Sequence, residues 1–269
     1  MSKRNSQAAK SAARERLRRE RERQAKRARV KKQLLAALGV VVALALVFGI
    51  VYLVMQANKP GYWEAAKDDK LVKPQHSSGA DGTKVIIGKA DAENTLKLYE
   101  DPRCPVCAQF EQSVGETIHK DLKDGKYKVE YIGATFLDGT DGEGSKNALS
   151  ALGAALNVST DAFLEYKTAL YSPKYHPQET DDKFKDDAYL IKVANTVDAL
   201  KDNKKFQKDV EDGTFDRWAL ELAERFDKDG VSGTPTLVLN GKKLVGSDGR
   251  NAPMSPQEFT KAVSDNLKK

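Results

Sequence analysis

The sequence predicts an α/β fold with a block of helices inserted between its two halves, preceded by one N-terminal transmembrane helix. Three observations carry this prediction. Residues 34–55 form an apolar run without a charge, β-rich segments alternate with helical stripes from residue 83 onward, and the only two cysteines of the 269-residue chain stand three apart, Cys104 and Cys107, where a short β segment meets a helix.

The basic arm comes first. Residues 1–33 hold fourteen Lys or Arg against three acids, a net of +11, so that with +6 for the whole chain the remainder carries −5. An acidic body, and an arm with no aromatic side chain among its charges, give no reason to expect a nucleic-acid partner. The charge-free run that follows is 22 residues long. At ~1.5 Å per residue it spans a hydrocarbon core of roughly 30 Å. A core helix is seldom apolar on every face for that length. A cleaved signal has an apolar stretch of ~7–15 residues ending in small-x-small, which Met55-Gln56-Ala57 fits poorly. The run reads as an uncleaved, single-pass anchor in the cell membrane. The positive-inside rule keeps the arm, residues 1–33, in the cytoplasm and puts the rest outside; the arm also faces anionic membrane lipid. Residues 56–80, with Pro60, Gly61, Pro74 and Ser77-Ser78-Gly79 among charges, read as an extracytoplasmic linker. Residues 81–269 remain for the folded domain.

Within that domain, residues 83–87 are β-prone. Residues 95–99, with Leu96, Leu98 and Tyr99, read as a strand running into the cysteine motif. Residues 104–123 fit a helix, with Pro105 in the first turn and Gly125 past its end. Residues 127–132 are again β-rich, completing a strand–helix–strand unit that builds a parallel pair. Four apolar stripes at helical spacing follow in an insertion of about 142–229: Ala148/Leu152/Ala155/Leu156, Phe163/Tyr166/Leu170, Leu190/Val193/Ala194/Val197 and Phe215/Trp218/Leu222/Phe226. They read as core faces. Residues 236–239 and 243–245 flank Asn240-Gly241, a hairpin signal, and Ser255-Pro256-Gln257-Glu258 opens a last helix as a capping box. The stretch 138–144, acidic and glycine-rich, lacks the ligand order of a calcium loop and reads as a solvated loop.

The chemistry sits in Asp101-Pro102-Arg103-Cys104-Pro105-Val106-Cys107. A thiol at a helix N-terminus meets unpaired N–H groups and the positive end of the helix dipole, which lowers its pKa; Arg103 is expected to add a positive charge. Cys107, one turn further on, shares the face and is expected to be more buried. Cys104 is then the attacking and leaving sulfur and Cys107 the resolving one, with a mixed disulfide between them and substrate. A structural disulfide closing so short a loop constrains the unfolded chain little. His76, His119 and His176 do not complete a zinc set with the cysteines. Neither metal nor cofactor is expected.

The Cys104-Pro105-Val106-Cys107 motif at a strand-to-helix junction resembles the active site of thioredoxin-fold proteins. With the helical insertion and the distant Gly233-Thr234-Pro235-Thr236, the chain is similar to DsbA-like thiol:disulfide oxidoreductases, nearest in kind to the membrane-anchored members of Gram-positive bacteria and actinobacteria, over roughly residues 83–268. The resemblance implies a thioredoxin-like fold, a cis Pro235 beside the cysteines, and substrate contacts at Thr234, Pro235, Pro105 and Val106, with the Thr234 backbone pairing to a substrate peptide as an added strand. It also implies oxidation of cysteines in exported proteins and reoxidation by a quinone-linked membrane partner. Two positions depart from the pattern. Val106 stands where many strongly oxidising relatives have His, and it offers a thiolate neither charge nor hydrogen bond. Leu98 stands where many thioredoxin-fold enzymes keep a buried carboxylate. Glu100 and Asp101 lie nearer the motif, and proton transfer at Cys107 is left to water or another group. The alternatives are a reductase or isomerase of the same fold, and a redox-silent binding module.

Overall fold

The computed structural model describes residues 2–57, 59–139 and 142–268, the side chains of 2–9 and 57 excepted, and it divides into two units, Met1–Pro60 and Gly61–Lys269. Thr140 and Asp141 of the acidic loop expected at 138–144 lie outside the described residues.

The first unit is one continuous helix, α1 (Ser2–Ala57), that carries both the basic arm and the apolar run. An 18-residue window within it has a mean hydropathy of 3.0 and no buried residue, so by length and composition the helix is able to cross a membrane.

The second unit is a mixed five-stranded sheet among the described residues, with helices around it. Chain order runs α2 (Tyr62–Ala65), β1 (Val85–Ile87), β2 (Thr95–Glu100), α3 (Pro105–Asp124), β3 (Lys128–Gly133), α4 (Gly144–Val158), α5 (Thr160–Tyr171), α6 (Asp187–Ala194), α7 (Lys204–Glu211), α8 (Asp216–Lys228), β4 (Thr236–Leu239), β5 (Lys242–Leu244) and α9 (Pro256–Ser264). The sheet order is β1-β3-β2-β4-β5; β2 runs parallel to β3 and antiparallel to β4. The register sets Leu98 beside Tyr131 on one side and Leu237 on the other, and Tyr99 beside Thr236. The strand that leads into Cys104 and the strand that leaves Pro235 are therefore neighbours.

Strand alternation sorts the core. Leu96, Leu98, Val129, Tyr131, Leu237 and Leu239 join Phe110, Val114 and Ile118 of α3 and the insertion helices in the main cluster. Tyr99, Ile132, Ala134 and Phe226 form a second cluster. α8 serves both, through Trp218 and Leu222 in the first and Phe226 in the second. Each large side chain buried in this way is worth about 1.5–3 kcal/mol. The approach of α4 to α8 is close: a Cβ on Gly153 would lie 2.8 Å from Trp218 Cε3.

Three elements differ from the sequence reading. α7 was not among the stripes, because its eight residues bury only Phe206, Asp209 and Val210. The hairpin strand is Lys242–Leu244, one residue earlier than expected, since Asn240 and Gly241, both at positive φ, make the turn alone. The largest difference lies in residues 61–80, expected as linker but belonging to the compact unit. Trp63 and Ala66 are buried, Tyr62 Oη donates to Asp216 Oδ2 at 2.6 Å, and Arg217 donates to the Lys67 carbonyl. Residues beside a proline and a glycine read as spacer, yet Trp63 is buried with Lys146 of α4 over its ring, and polar bonds from Tyr62 and to Lys67 tie the segment to α8.

Candidate active site

Cys104 is the N-cap of α3, at φ −68° and ψ 116°, with Pro105 as the first helical residue. The cap geometry follows from the sequence: Pro105 has no N–H to leave unpaired and has φ preset for a helix. The Cys107 N–H donates to Cys104 Sγ at 3.3 Å, and Cys104 Sγ lies 3.7 Å from the Thr234 carbonyl, to which its S–H donates. Thr234–Pro235 is cis. Cys104 is 5 % exposed and Cys107 fully buried, both as free thiols.

The two sulfurs are pushed in opposite directions. Cys104 is pulled from 9.0 down to about 6, chiefly by the hydrogen bond from the Cys107 thiol, against burial, with the Thr234 side chain and the N–H groups of Cys107 and Val106 adding to it. Cys107 is pushed well above the ordinary value by burial, then by its bond to Cys104 and by the Glu100 carboxylate. The side chain of Val106 is not required for the low value at Cys104; its backbone N–H contributes instead. Nor does Arg103 act as expected. Its guanidinium turns away into Asp138 Oδ1 (3.2 Å), Asp182 Oδ1 (3.1 Å) and the carbonyls of Leu137 and Glu179. With Asp101, which accepts from the Arg103 and Leu137 N–H groups and from Ser145 Oγ, it ties the cysteine loop to the start of α4. Arg103 is an anchor and its charge is already neutralised by two carboxylates.

Below the cysteines lies a charge cluster that the sequence reading did not assemble. Lys167 Nζ donates to Glu111 Oε2 at 2.6 Å and Glu100 Oε2 at 3.1 Å, all three side chains at most 3 % exposed. Among the described residues, Glu100 Oε1 has no hydrogen-bond partner. Burial raises Glu100 to about 7, against the pull of Lys167 and with the push of Glu111 and Cys104. Burial would also raise Glu111, but Lys167 and Thr168 outweigh it and its carboxyl stays below the usual range. Lys167 is held above its usual range by both carboxylates, against burial. The signal for this cluster was present. Glu100 follows Leu96 and Leu98 at period two, so the strand aims it inward. Lys167 sits four residues after Phe163 and three before Leu170, on the apolar stripe of α5. A charge at a core position of each element marks a group that needs an internal partner. Glu100 supplies the buried carboxylate that Leu98 does not.

A groove of about 490 Å³ opens beside this pair, lined by Val106, Thr234 and Pro235, with residues of β5 and of the 250–254 loop. Val106 is 46 % exposed at its rim. The structure thus gathers Cys104, Cys107, Val106, Thr234 and Pro235; Pro105 is half-buried and does not line the groove. The arrangement fits nucleophilic attack at Cys104, the less buried sulfur, with Cys107 fully buried and within the field of the Glu100 carboxyl.

A sequence model described as thioredoxin matches residues 80–265. Serine/threonine-protein kinase PknE of Mycobacterium tuberculosis is 29 % identical over 167 residues, 60 % of this chain and 29 % of the kinase; the match thus spans less than a third of that relative. Disulfide bond formation protein D of Bacillus subtilis is 23 % identical over 160 residues, 59 % of this chain and 68 % of that protein. Among solved structures, the thiol-disulfide oxidoreductase MdbA of Actinomyces oris superposes with a TM-score of 0.59 at 21 % identity, covering 78 % of this chain and 98 % of that one. At that identity the likeness establishes the fold.

Proposed function

The chain belongs to the thioredoxin family, and on that footing we propose that it is a thiol:disulfide oxidoreductase, tethered by α1 and working outside the membrane on cysteines of exported proteins through Cys104 and Cys107. One observation carries this reading: Cys104 Sγ caps α3 on the Cys107 N–H, lies 3.7 Å from the Thr234 carbonyl, and is pulled down to about 6 while Cys107 is pushed up. A sulfur with that pKa is the better leaving group, and its stable thiolate favours the reduced pair, which makes the disulfide form an oxidant.

The reaction starts from the Cys104–Cys107 disulfide. A substrate thiolate attacks Cys104 Sγ; the Cys104–Cys107 bond breaks and a substrate–Cys104 bond forms. Cys107 leaves as a thiolate and takes a proton from Glu100, whose carboxyl holds one near neutrality. A second substrate thiolate attacks the substrate sulfur of the mixed disulfide, and Cys104 departs as a thiolate. Two substrate thiols become a disulfide and the enzyme ends as the dithiol. Reoxidation then needs an electron acceptor, for which the resemblance to DsbA-like oxidoreductases implies a quinone-linked membrane partner. Such relatives as protein D of Bacillus subtilis, named for disulfide bond formation, support the direction.

The test is Cys107→Ala in intact cells. Mixed disulfides are expected to accumulate through Cys104 with exported proteins. No trapped partner counts against thiol exchange, and partners that are all cytoplasmic count against the extracytoplasmic placement.

A further inference from the structure

The groove beside Cys104 has a charge that the rest of the domain lacks. The chain beyond residue 33 carries a net −5, yet the lining residues include Lys243 and Arg250 and, among the described residues, no Asp or Glu. Lys243 lies on β5, which pairs with the strand leaving Pro235. Arg250 lies on the 250–254 loop that lines the groove. Both are exposed, and neither forms an ion pair among the described residues. Of the two acids nearest in sequence, Asp248 lies within the field of Arg250 but is held by its own loop, accepting from the N–H groups of Arg250 and Asn251 and from Asn251 Nδ2, and Glu258 is held by Ser247. The other polar lining groups, from Gln109, Ser232, Thr234, Thr236 and Asn251, are neutral. Two cations thus line the groove formed beside Val106, Thr234 and Pro235.

We propose that this groove selects a substrate segment bearing an Asp or Glu within a few residues of its cysteine, with Lys243 and Arg250 as the specificity-determining residues. The proposal rests on the oxidoreductase reading and names the substrate class for that site. The groove acts in two ways. A carboxylate on an extended segment pairs with the cations while the segment backbone lies along Thr234. The same positive potential draws in the substrate thiolate, which is the attacking species, and raises its share at a given pH. Pairs in so open a groove are weak individually and screened by salt.

The experiment uses the full chain, oxidised, in neutral detergent, with three short peptides holding one cysteine flanked by Asp, Asn or Lys. Exchange with the Asp peptide is expected to be fastest and with the Lys peptide slowest, by on the order of tenfold at low ionic strength, the spread collapsing at high salt. Lys243→Gln with Arg250→Gln narrows the spread, and Lys243→Glu with Arg250→Glu inverts it. A wild-type protein that is reduced by dithiothreitol and by all three peptides at equal rates overturns this inference alone. One that reacts with neither dithiothreitol nor peptide overturns the oxidoreductase reading as well. A charge order that persists unchanged in both double variants removes Lys243 and Arg250 from the explanation.

Discussion

At Cys104 the balance between hydrogen bonding and burial sets the pH range in which the sulfur is a nucleophile. Alkylation of the reduced protein is expected to rise through a midpoint of about 6, below the ordinary thiol value of 9.0, with thiol below and thiolate above. Cys107 stays unreactive over the same range, because burial raises it. A midpoint near 9 in a rate-versus-pH titration contradicts the hydrogen-bonded cap. Glu100 is tested at the same scale. Its carboxyl is raised to about 7 by burial, so on the proposed path it donates the Cys107 proton below that pH and accepts it above. Glu100→Gln keeps the shape and removes the titration. The expected result is an exchange rate lower by on the order of tenfold or more, together with loss of the inflection near pH 7 in the rate profile. An inflection that survives takes Glu100 out of the proton's path. Lys167 retains Glu111 in that variant, so the cluster keeps one ion pair.

Among the elements, the contact of α4 with α8 fixes the insertion, and Gly153 makes that contact possible. A Cβ there would meet Trp218 Cε3 at 2.8 Å and Phe215 Cβ at 2.9 Å, in a core where neither ring has room to retreat. Gly153→Ala is expected to destabilise the fold by about 1–3 kcal/mol, read as a lower denaturant midpoint. The elements were legible from periodicity where a stripe was long and apolar, as in α4, α5 and α8. α7 was not, since only three of its eight positions are buried and one of those is Asp209. At the site, the cysteines and Thr234-Pro235 could be read because their chemistry is local to short motifs. The Glu100–Lys167–Glu111 cluster could not be assembled the same way: its members lie on three elements up to 67 residues apart, and pairing at that separation is a property of the packed fold. Each member did leave a mark, a charge where the period of its element calls for an apolar side chain.

For the domain as a whole, the boundary lies earlier than composition suggests. Residues from Gly61 onward belong to the folded unit, bonded to α8 through Tyr62 and Arg217, and Trp63, 7 % exposed, is their largest buried side chain. Trp63→Ala is expected to cost about 3–5 kcal/mol, seen as a lower thermal midpoint of the full chain in detergent. A loss within 0.5 kcal/mol, the range of ordinary surface positions, would return these residues to the status of a tether. The Arg103 network works on the same scale. It joins the loop before Cys104 to Asp138, Asp182 and the Glu179 carbonyl, so the insertion braces the reactive loop from behind while the groove stays open in front.

Because the reactive sulfur is also the cap of α3, the chemistry has a mechanical side. As a thiolate, Cys104 accepts a charge-assisted hydrogen bond from the Cys107 N–H; as half of a disulfide, it is a weak, neutral acceptor. Every turnover therefore tightens and slackens the first turn of a 20-residue helix, by about the 1 kcal/mol that a cap is worth. The backbone beneath the groove is thus softer when the protein is ready to receive a thiol and firmer once it has delivered the disulfide, so that the spent state is marked by stiffness and not by sulfur alone.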